Sequence, residues 1–222
     1  MIKGTLKYLL ERPFWFWLWG LIYAMILVFG LFWPTSIAVT MLKLTGIFLC
    51  LVFVFKYFKK DRFLQIAFLF TFAADVLLAI NNVSAAGVLV FAFAQISHFI
   101  RLCQKPLLSK IWLIVSCLAL IVAYVLPIDN QIIFFGVVYG VTLAANLGIC
   151  IYQYTKKKNL STFYGLLGFS LFVCCDLLVA VSFFTTLGIL PAFLYGIANY
   201  CCWVFYLPAQ VCIANSSKSM IQ

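Results

Sequence analysis

Long runs of apolar residues, separated by short connections, constrain the fold of this chain more than any other feature. Each run is roughly 20 residues long, the length that a helix needs to cross a bilayer, and shows no alternation of apolar and polar positions. A barrel strand would be about half as long and would alternate. Because lipid leaves each backbone amide to be satisfied within its own segment, we predict an all-α, polytopic membrane protein with about eight transmembrane helices.

The spans are expected to form a single integral membrane domain over residues 1–222. They lie near residues 14–33, 36–55, 63–81, 84–103, 111–126, 131–154, 161–184 and 190–213. The chain is 67% hydrophobic and 9% charged, a composition that a water-soluble domain of this size could not bury. The first apolar run is too long for a cleaved signal peptide and lacks a following cleavage site, so we expect it to remain as span 1.

Fourteen of the fifteen Lys and Arg residues fall at one side of the predicted bundle. They precede span 1, follow spans 2, 4 and 6, or close the chain: Lys3, Lys7, Arg12, Lys56, Lys59, Lys60, Arg62, Arg101, Lys105, Lys110, Lys156, Lys157, Lys158 and Lys218. The positive-inside rule then places both termini in the cytoplasm. Topology and anionic lipid headgroups explain the net charge of +10, so nucleic acid is not an expected partner.

Cysteine and histidine usage argues against a metal centre. The nine cysteines lie almost entirely inside apolar runs, where they are expected to pack as small apolar residues rather than form disulfides or a zinc site. His98 is the only histidine, whereas a membrane zinc hydrolase of the ceramidase type needs several. A structural or headgroup-facing role is therefore favoured for His98. No G-x-S-x-G elbow or phosphate loop is present, and we expect neither metal nor organic cofactor.

Two acidic residues, Asp75 and Asp176, lie inside predicted spans, together with the remaining basic residue, Lys43. A charge at a helix centre costs on the order of 3 kcal/mol, so such groups indicate function by default. Counted at about 1.5 Å per residue from the outer ends, all three lie roughly 9–14 Å deep. Further polar side chains at about this depth are Tyr139, Asn199 and, slightly deeper, Gln95.

Interhelical hydrogen bonding is the alternative explanation of this polar layer, and it is favoured for Gln95, Tyr139 and Asn199 taken singly. Lys43 could also neutralise one aspartate. One lysine cannot neutralise two carboxylates, so the second is expected to be protonated or to lie in a wet cavity. A protonated carboxyl acting as general acid beside an ionised one acting as base or cation stabiliser would suit acid-catalysed hydrolysis of an enol ether.

A weak internal repeat supports a different function. A shift of 101 residues places four residues on four identical ones: Phe68, Asp75, Leu77 and Ala79 on Phe169, Asp176, Leu178 and Ala180. Spans 3 and 7 share a direction, so this would be a parallel four-plus-four repeat. Paired intramembrane carboxylates also serve as proton relays, which leaves a non-enzymatic proton-coupled transporter or lipid-handling protein as the alternative. The sequence contexts typical of an aspartyl intramembrane protease are absent.

Several short stretches together carry a family resemblance. In chain order they are Lys43, Ala74-Asp75-Val76-Leu77-Leu78, Gly87 with Phe91 and Gln95, Tyr139, Cys175-Asp176-Leu177-Leu178-Val179-Ala180, and Tyr206-Leu207-Pro208-Ala209-Gln210. In these stretches the chain resembles the lysoplasmalogenase family, also called YhhN-like proteins, over nearly its whole length. It departs from the family at Lys43-Leu44, where Lys-Pro is usual, and at Gln95, where many members have histidine.

The resemblance implies an ether hydrolase that cleaves the vinyl ether bond of a lysoplasmalogen to a fatty aldehyde and a glycerophospho-headgroup. Asp75 and Asp176 would then be the catalytic residues, and Lys43 would set their charge balance. Gln95, Tyr139 and Asn199 would orient water or substrate. The expected location is a bacterial cell membrane, and the expected partners are the lysophospholipid substrate and membrane lipids.

Overall fold

The structure, a computed structural model, describes residues 2–34, 36–80, 84–125 and 128–217, without the side chains of residues 2–12 and 128–130. These residues form α1 (Ile2–Phe32), α2 (Ile37–Tyr57), α3 (Arg62–Ile80), α4 (Ala85–Leu102), α5 (Pro106–Tyr124), α6 (Ile128–Lys156), α7 (Leu160–Thr186) and α8 (Phe193–Ala214). The predicted all-α fold is confirmed. Lys218 lies outside the described residues, as do the side chains of Lys3, Lys7 and Arg12.

Local sequence explains where several helices begin. Ser36 and Ser84 cap α2 and α4, each accepting a hydrogen bond of 3.2 Å from the backbone N–H three residues later. Asn159 and Thr162 form a reciprocal capping box at the start of α7. Pro106 begins α5 at a position where its missing N–H has no role. The helix α5 therefore starts five residues before the predicted span. The prediction missed these residues because hydropathy marks only the apolar part of a helix.

Every helix contains a segment long and apolar enough to cross a membrane. The outward-facing side chains are apolar as well, and Trp17, Ile37 and Ile80 are each more than three-quarters exposed. Such a surface would drive aggregation in water, but it matches a lipid solvent. These features are those expected of a multi-pass membrane protein.

Six helices form a closed ring. The order of neighbours is α2, α3, α4, α6, α7 and α8, with α8 packed back against α2. The remaining two helices lie outside the ring, α1 against α2 and α8, and α5 against α4 and α6. The proposed repeat relates α1 to α5, α2 to α6, α3 to α7 and α4 to α8. When each helix is exchanged for its repeat equivalent, every one of these packed pairs becomes another packed pair. This is the arrangement that a parallel four-plus-four repeat produces.

One end of the bundle carries the basic connections, and we call it the basic end. The α2–α3, α4–α5 and α6–α7 connections and the segment after α8 meet there, as the wall of a shared cleft shows. Asp75 lies five residues before the other end of α3, roughly 8 Å along the helix axis. Asp75 thus lies near the end of the bundle opposite the basic connections.

Candidate functional site

Each of the two intramembrane aspartates accepts a hydrogen bond from a tyrosine. The Tyr206 hydroxyl on α8 lies 2.9 Å from Oδ1 and 2.7 Å from Oδ2 of Asp75 on α3. The Tyr139 hydroxyl on α6 donates to Oδ2 of Asp176 on α7. Four helices of the ring therefore supply the carboxyl groups and their hydrogen-bond donors.

Aromatic packing joins the two tyrosine–aspartate pairs. Phe172 packs against Tyr206 with ring centroids 5.6 Å apart, and Phe91 packs against Tyr139 at 5.9 Å. Phe91 and Phe172 contact each other at 6.5 Å. The line of rings thus connects the two tyrosine–aspartate pairs inside the bundle.

The two carboxyl groups also share electrostatic neighbours. Asp75 and Asp176 both interact with the Tyr139 hydroxyl and with the thiols of Cys175 and Cys202. We call these five residues, together with Tyr206, the aspartate site. Both aspartates are only partly buried, although Ala74 and Cys175, the residues directly before them, are buried.

Lys43 lies beside the aspartate site without neutralising it. Its ammonium group is 4.5 Å from the centroid of the Trp203 ring, a cation–π contact. Trp203 in turn packs edge-on against Tyr206 at 5.1 Å. Among the described residues, Lys43 forms no ion pair with either aspartate. Its charge is thus available close to the site, on the side of Trp203.

The remaining two residues of the predicted polar layer lie apart from the carboxyl groups. Gln95 is buried and accepts two hydrogen bonds of 3.0 Å from the Asn146 side-chain amide, one at its backbone carbonyl and one at Oε1. This contact joins α4 to α6. Asn199 is exposed on α8, and its backbone carbonyl accepts a hydrogen bond of 3.4 Å from the Cys202 thiol. Their roles toward water or substrate stay predictions.

His98 is buried between two phenylalanine rings that the proposed repeat relates to each other. Phe68 and Phe169 meet the imidazole edge-on, at 6.2 Å and 5.4 Å between centroids. His98 therefore packs in the core instead of facing lipid headgroups.

The two tyrosines that bind the aspartates are not related by the repeat. Asp176 on α7 is bound by Tyr139 on α6, and the repeat equivalent of α6 is α2. Asp75 on α3 is bound instead by Tyr206 on α8. The chemistry of the site is less symmetric than its helix packing.

Tyr206 was not predicted as a site residue from its own chemistry, although Pro208, two residues later, marks this turn of α8 as unusual. Pro208 lacks an N–H group, so the carbonyl of Val204, four residues earlier, loses its partner within α8. The Tyr23 hydroxyl of α1 donates to that carbonyl at 3.0 Å. The α8 turn that carries Tyr206 is thus held from the neighbouring helix.

A glycine brings α7 and α8 close together two turns from Asp176. A Cβ atom added at Gly168 would lie 2.9 Å from the backbone nitrogen of Ile213 and 3.1 Å from the carbonyl oxygen of Ala209. Only glycine permits this approach of two backbones. Gly168 therefore helps fix the distance between the helices that carry Asp176 and Tyr206.

Comparison with known proteins assigns the chain to a family. A model described as the YhhN family matches residues 38–217, a range that includes every residue of the aspartate site. No curated protein and no solved structure matches the chain. In the part of the chain that the structure describes, no group of three His, Cys, Asp or Glu side chains is placed to hold a metal ion. Since the match covers most of the sequence, the protein belongs to the YhhN family.

Proposed function

We propose that this YhhN-family protein is a membrane-embedded hydrolase that cleaves the vinyl ether bond of lysoplasmalogens. The observation that carries the proposal is the convergence of Asp75 and Asp176, each bound by a tyrosine hydroxyl, within the region that defines the family. Two intramembrane carboxyl groups in one site fit acid-catalysed hydrolysis better than a purely structural role. The proposed location is a bacterial cell membrane with both termini in the cytoplasm.

The chemistry begins with proton transfer to carbon. A protonated carboxyl group donates its proton to the vinyl carbon remote from oxygen, and an oxocarbenium ion forms. The second aspartate, ionised, stabilises this cation and accepts a proton from the water that attacks it. The resulting hemiacetal collapses when its ether oxygen is protonated and the carbon–oxygen bond breaks. The products are a fatty aldehyde and a glycerophospho-headgroup with a free hydroxyl.

The tyrosine hydroxyls position the two carboxyl groups for this division of roles. Because Tyr206 bridges both oxygens of Asp75 while Tyr139 contacts one oxygen of Asp176, the two aspartates present different free edges to a substrate. The two carboxyl groups share Tyr139, Cys175 and Cys202 as electrostatic neighbours, and we expect them to share the acid and base roles. No step of this mechanism needs a metal ion.

We infer that Lys43 binds the substrate phosphate. Its ammonium group stacks on Trp203 beside Tyr206 and has no carboxylate partner among the described residues. In a lysoplasmalogen only the glycerol atoms separate the vinyl ether oxygen from the phosphate. A phosphate on Lys43 would therefore bring the vinyl ether toward Asp75.

The test is aldehyde release by the purified full-length protein in nanodiscs. Lysoplasmenylethanolamine is expected to yield a fatty aldehyde, whereas the saturated 1-alkyl analogue, which has no carbon–carbon double bond to protonate, yields none. Asp75→Asn and Asp176→Asn should each abolish most of the release. Cys174→Ser, an exposed α7 variant beside the site, should retain it. Unchanged release in both aspartate variants would contradict the proposed roles.

A proton-coupled transporter is distinguished by the same preparation. Reconstituted protein that forms no aldehyde, yet moves protons with a substrate in a manner that depends on Asp75, would support transport and overturn the hydrolase proposal.

A further inference from the structure

A second site lies at the basic end, remote from the aspartates. A cleft of about 750 Å³ opens there between the α4–α5 connection, the α6–α7 connection and the segment after α8. Asp61, in its wall, precedes Asp75 by 14 residues, roughly 20 Å of helix. A lysophospholipid whose vinyl ether meets Asp75 cannot place its phosphate in this cleft, because only its glycerol atoms separate the two groups.

Arg101 is a buried and incompletely paired cation in the wall of the cleft. Its side chain is only 6% exposed, and its Nη2 donates to the Ser216 hydroxyl at 2.8 Å. Nη1 lies 3.9 Å from Oδ2 of Asp61, too far for a hydrogen bond, and neither Nη1 nor Nε has a hydrogen-bond partner. Buried guanidinium nitrogens without partners are unusual, and they favour the binding of an acceptor in the cleft.

Asp61 forms a long ion pair with this cation but no hydrogen bond to it. Its Oδ1 accepts a hydrogen bond of 3.2 Å from the backbone N–H of Leu64, at the start of α3. Its Oδ2 accepts one of 3.0 Å from the Ser217 hydroxyl. The carboxylate is thus held by the α3 terminus and the segment after α8, and two guanidinium nitrogens are left for another acceptor.

Positive charge surrounds the cleft. Of the charged residues that the structure places in its wall, Asp61 is acidic and four are basic: Arg101, Lys105, Lys156 and Lys157. The three lysines are exposed, so their ammonium groups can turn toward a ligand. The α5 helix begins at Pro106 after Lys105, which makes no side-chain capping bond, and Leu108 of its first turn lines the cleft. The free amides of that turn add to the attraction for an anion.

We propose that this cleft binds a phosphate group, supplied either by free phosphate or by the headgroup of an anionic phospholipid. A planar guanidinium with free donors binds phosphate oxygens in a bidentate manner, and three lysines match the remaining charge. The excess of basic groups favours a phosphate, which carries up to two negative charges, over a singly charged carboxylate. This site is independent of the proposed vinyl ether hydrolysis.

The experiment uses the full-length protein in a non-ionic detergent and measures thermal unfolding during titration with inorganic phosphate. Chloride at equal ionic strength controls for general screening of the basic end. In a second arm, nanodiscs of phosphatidylcholine are compared with nanodiscs that contain phosphatidic acid. Saturable stabilisation by inorganic phosphate assigns free phosphate as a ligand, whereas stabilisation by phosphatidic acid alone assigns a lipid headgroup. Stabilisation by neither overturns the proposal.

Matched variants test whether the cleft is responsible. Lys105→Gln with Lys157→Gln removes two wall charges, and we expect the ligand to bind at least about tenfold more weakly. Lys110→Gln with Lys158→Gln removes two exposed charges from the same elements outside the wall and should leave binding unchanged. Arg101→Gln should abolish saturable binding if it folds. Equal weakening by the two lysine pairs would overturn the cleft as the site, even if Arg101→Gln fails to fold.

Discussion

The Tyr206 hydroxyl of α8 bridges the two carboxylate oxygens of Asp75 on α3, at 2.9 Å and 2.7 Å. These are the side-chain hydrogen bonds that Asp75 makes among the described residues. The rotamer of the carboxyl group therefore depends on where α8 places one tyrosine. In the same way, the rotamer of the Asp176 carboxyl group depends on where α6 places Tyr139.

Removal of either tyrosine hydroxyl should impair hydrolysis without unfolding the protein. Hydrogen bonds to charged groups contribute about 1.5–3 kcal/mol, so Tyr206→Phe and Tyr139→Phe are each expected to lower kcat roughly 10- to 100-fold. The measurement is aldehyde release from lysoplasmenylethanolamine. Tyr195→Phe, an exposed position near the start of α8, is the matched control and should have wild-type kcat. A wild-type rate in both site variants would show that the hydroxyls do not position the carboxyls.

Hydrolysis in D₂O should leave a chemical record of the proton transfer. The proposed mechanism delivers one solvent-derived hydrogen to carbon, so the released aldehyde is expected to carry a single deuterium at the carbon next to its carbonyl. Mass spectrometry of the trapped aldehyde measures this. Synthetic aldehyde incubated with the protein in D₂O controls for exchange after release. Aldehyde without carbon-bound deuterium would exclude protonation of the vinyl carbon.

The contact between Tyr23 and Val204 should matter only because α8 contains a proline. Tyr23→Phe leaves the Val204 carbonyl without a partner and is expected to lower the free energy of unfolding by about 1–2 kcal/mol. In a Pro208→Ala background the residue-208 amide can bond that carbonyl, so Tyr23→Phe should cost clearly less. Chemical denaturation of the four proteins in micelles measures this coupling. An equal cost in both backgrounds would contradict the assigned role of Tyr23.

The close approach of α7 and α8 should make Gly168 intolerant of even a methyl group. Gly168→Ala forces the α8 backbone away and is expected to destabilise the protein by about 1–3 kcal/mol. Gly148→Ala on α6 meets no atom within 4 Å and should be neutral or slightly stabilising, because alanine favours a helix. Thermal unfolding compares the two. Equal stability would mean that α7 and α8 are not in close contact at this position.

The eight helices could be predicted from the sequence because hydropathy depends only on local composition, and lipid imposes a minimum length on each span. Helix ends were less accessible: α1 begins at Ile2, well before its apolar segment at Pro13, because a helix can continue beyond the membrane. The depth count correctly brought Asp75, Asp176 and Tyr139 into one layer. Depth along an axis says nothing about rotation around it, which is why Asn199 shares the layer and yet faces outward.

The partners of the polar residues could not be predicted for the same reason. Lys43 contacts an aromatic ring, Gln95 contacts an amide, and Asp75 contacts a tyrosine 131 residues away. Such pairs depend on how each helix is rotated about its own axis and packed against its neighbours. That arrangement is determined by the whole ring of helices and not by local sequence. The cleft at the basic end was equally hidden, because its wall combines ends of several separate helices. In the sequence, its basic residues indicated only which side of the membrane the connections occupy.

Coupling between the two aspartates tests the central claim most directly. The decisive measurement is kcat/KM for lysoplasmenylethanolamine with Asp75→Asn, Asp176→Asn and the double variant. If both carboxyls act on one bond, the double variant should lose no more than the worse single variant, since residues that act as a unit are not additive. Losses that multiply in the double variant, or a single variant with wild-type activity, would contradict a shared catalytic site.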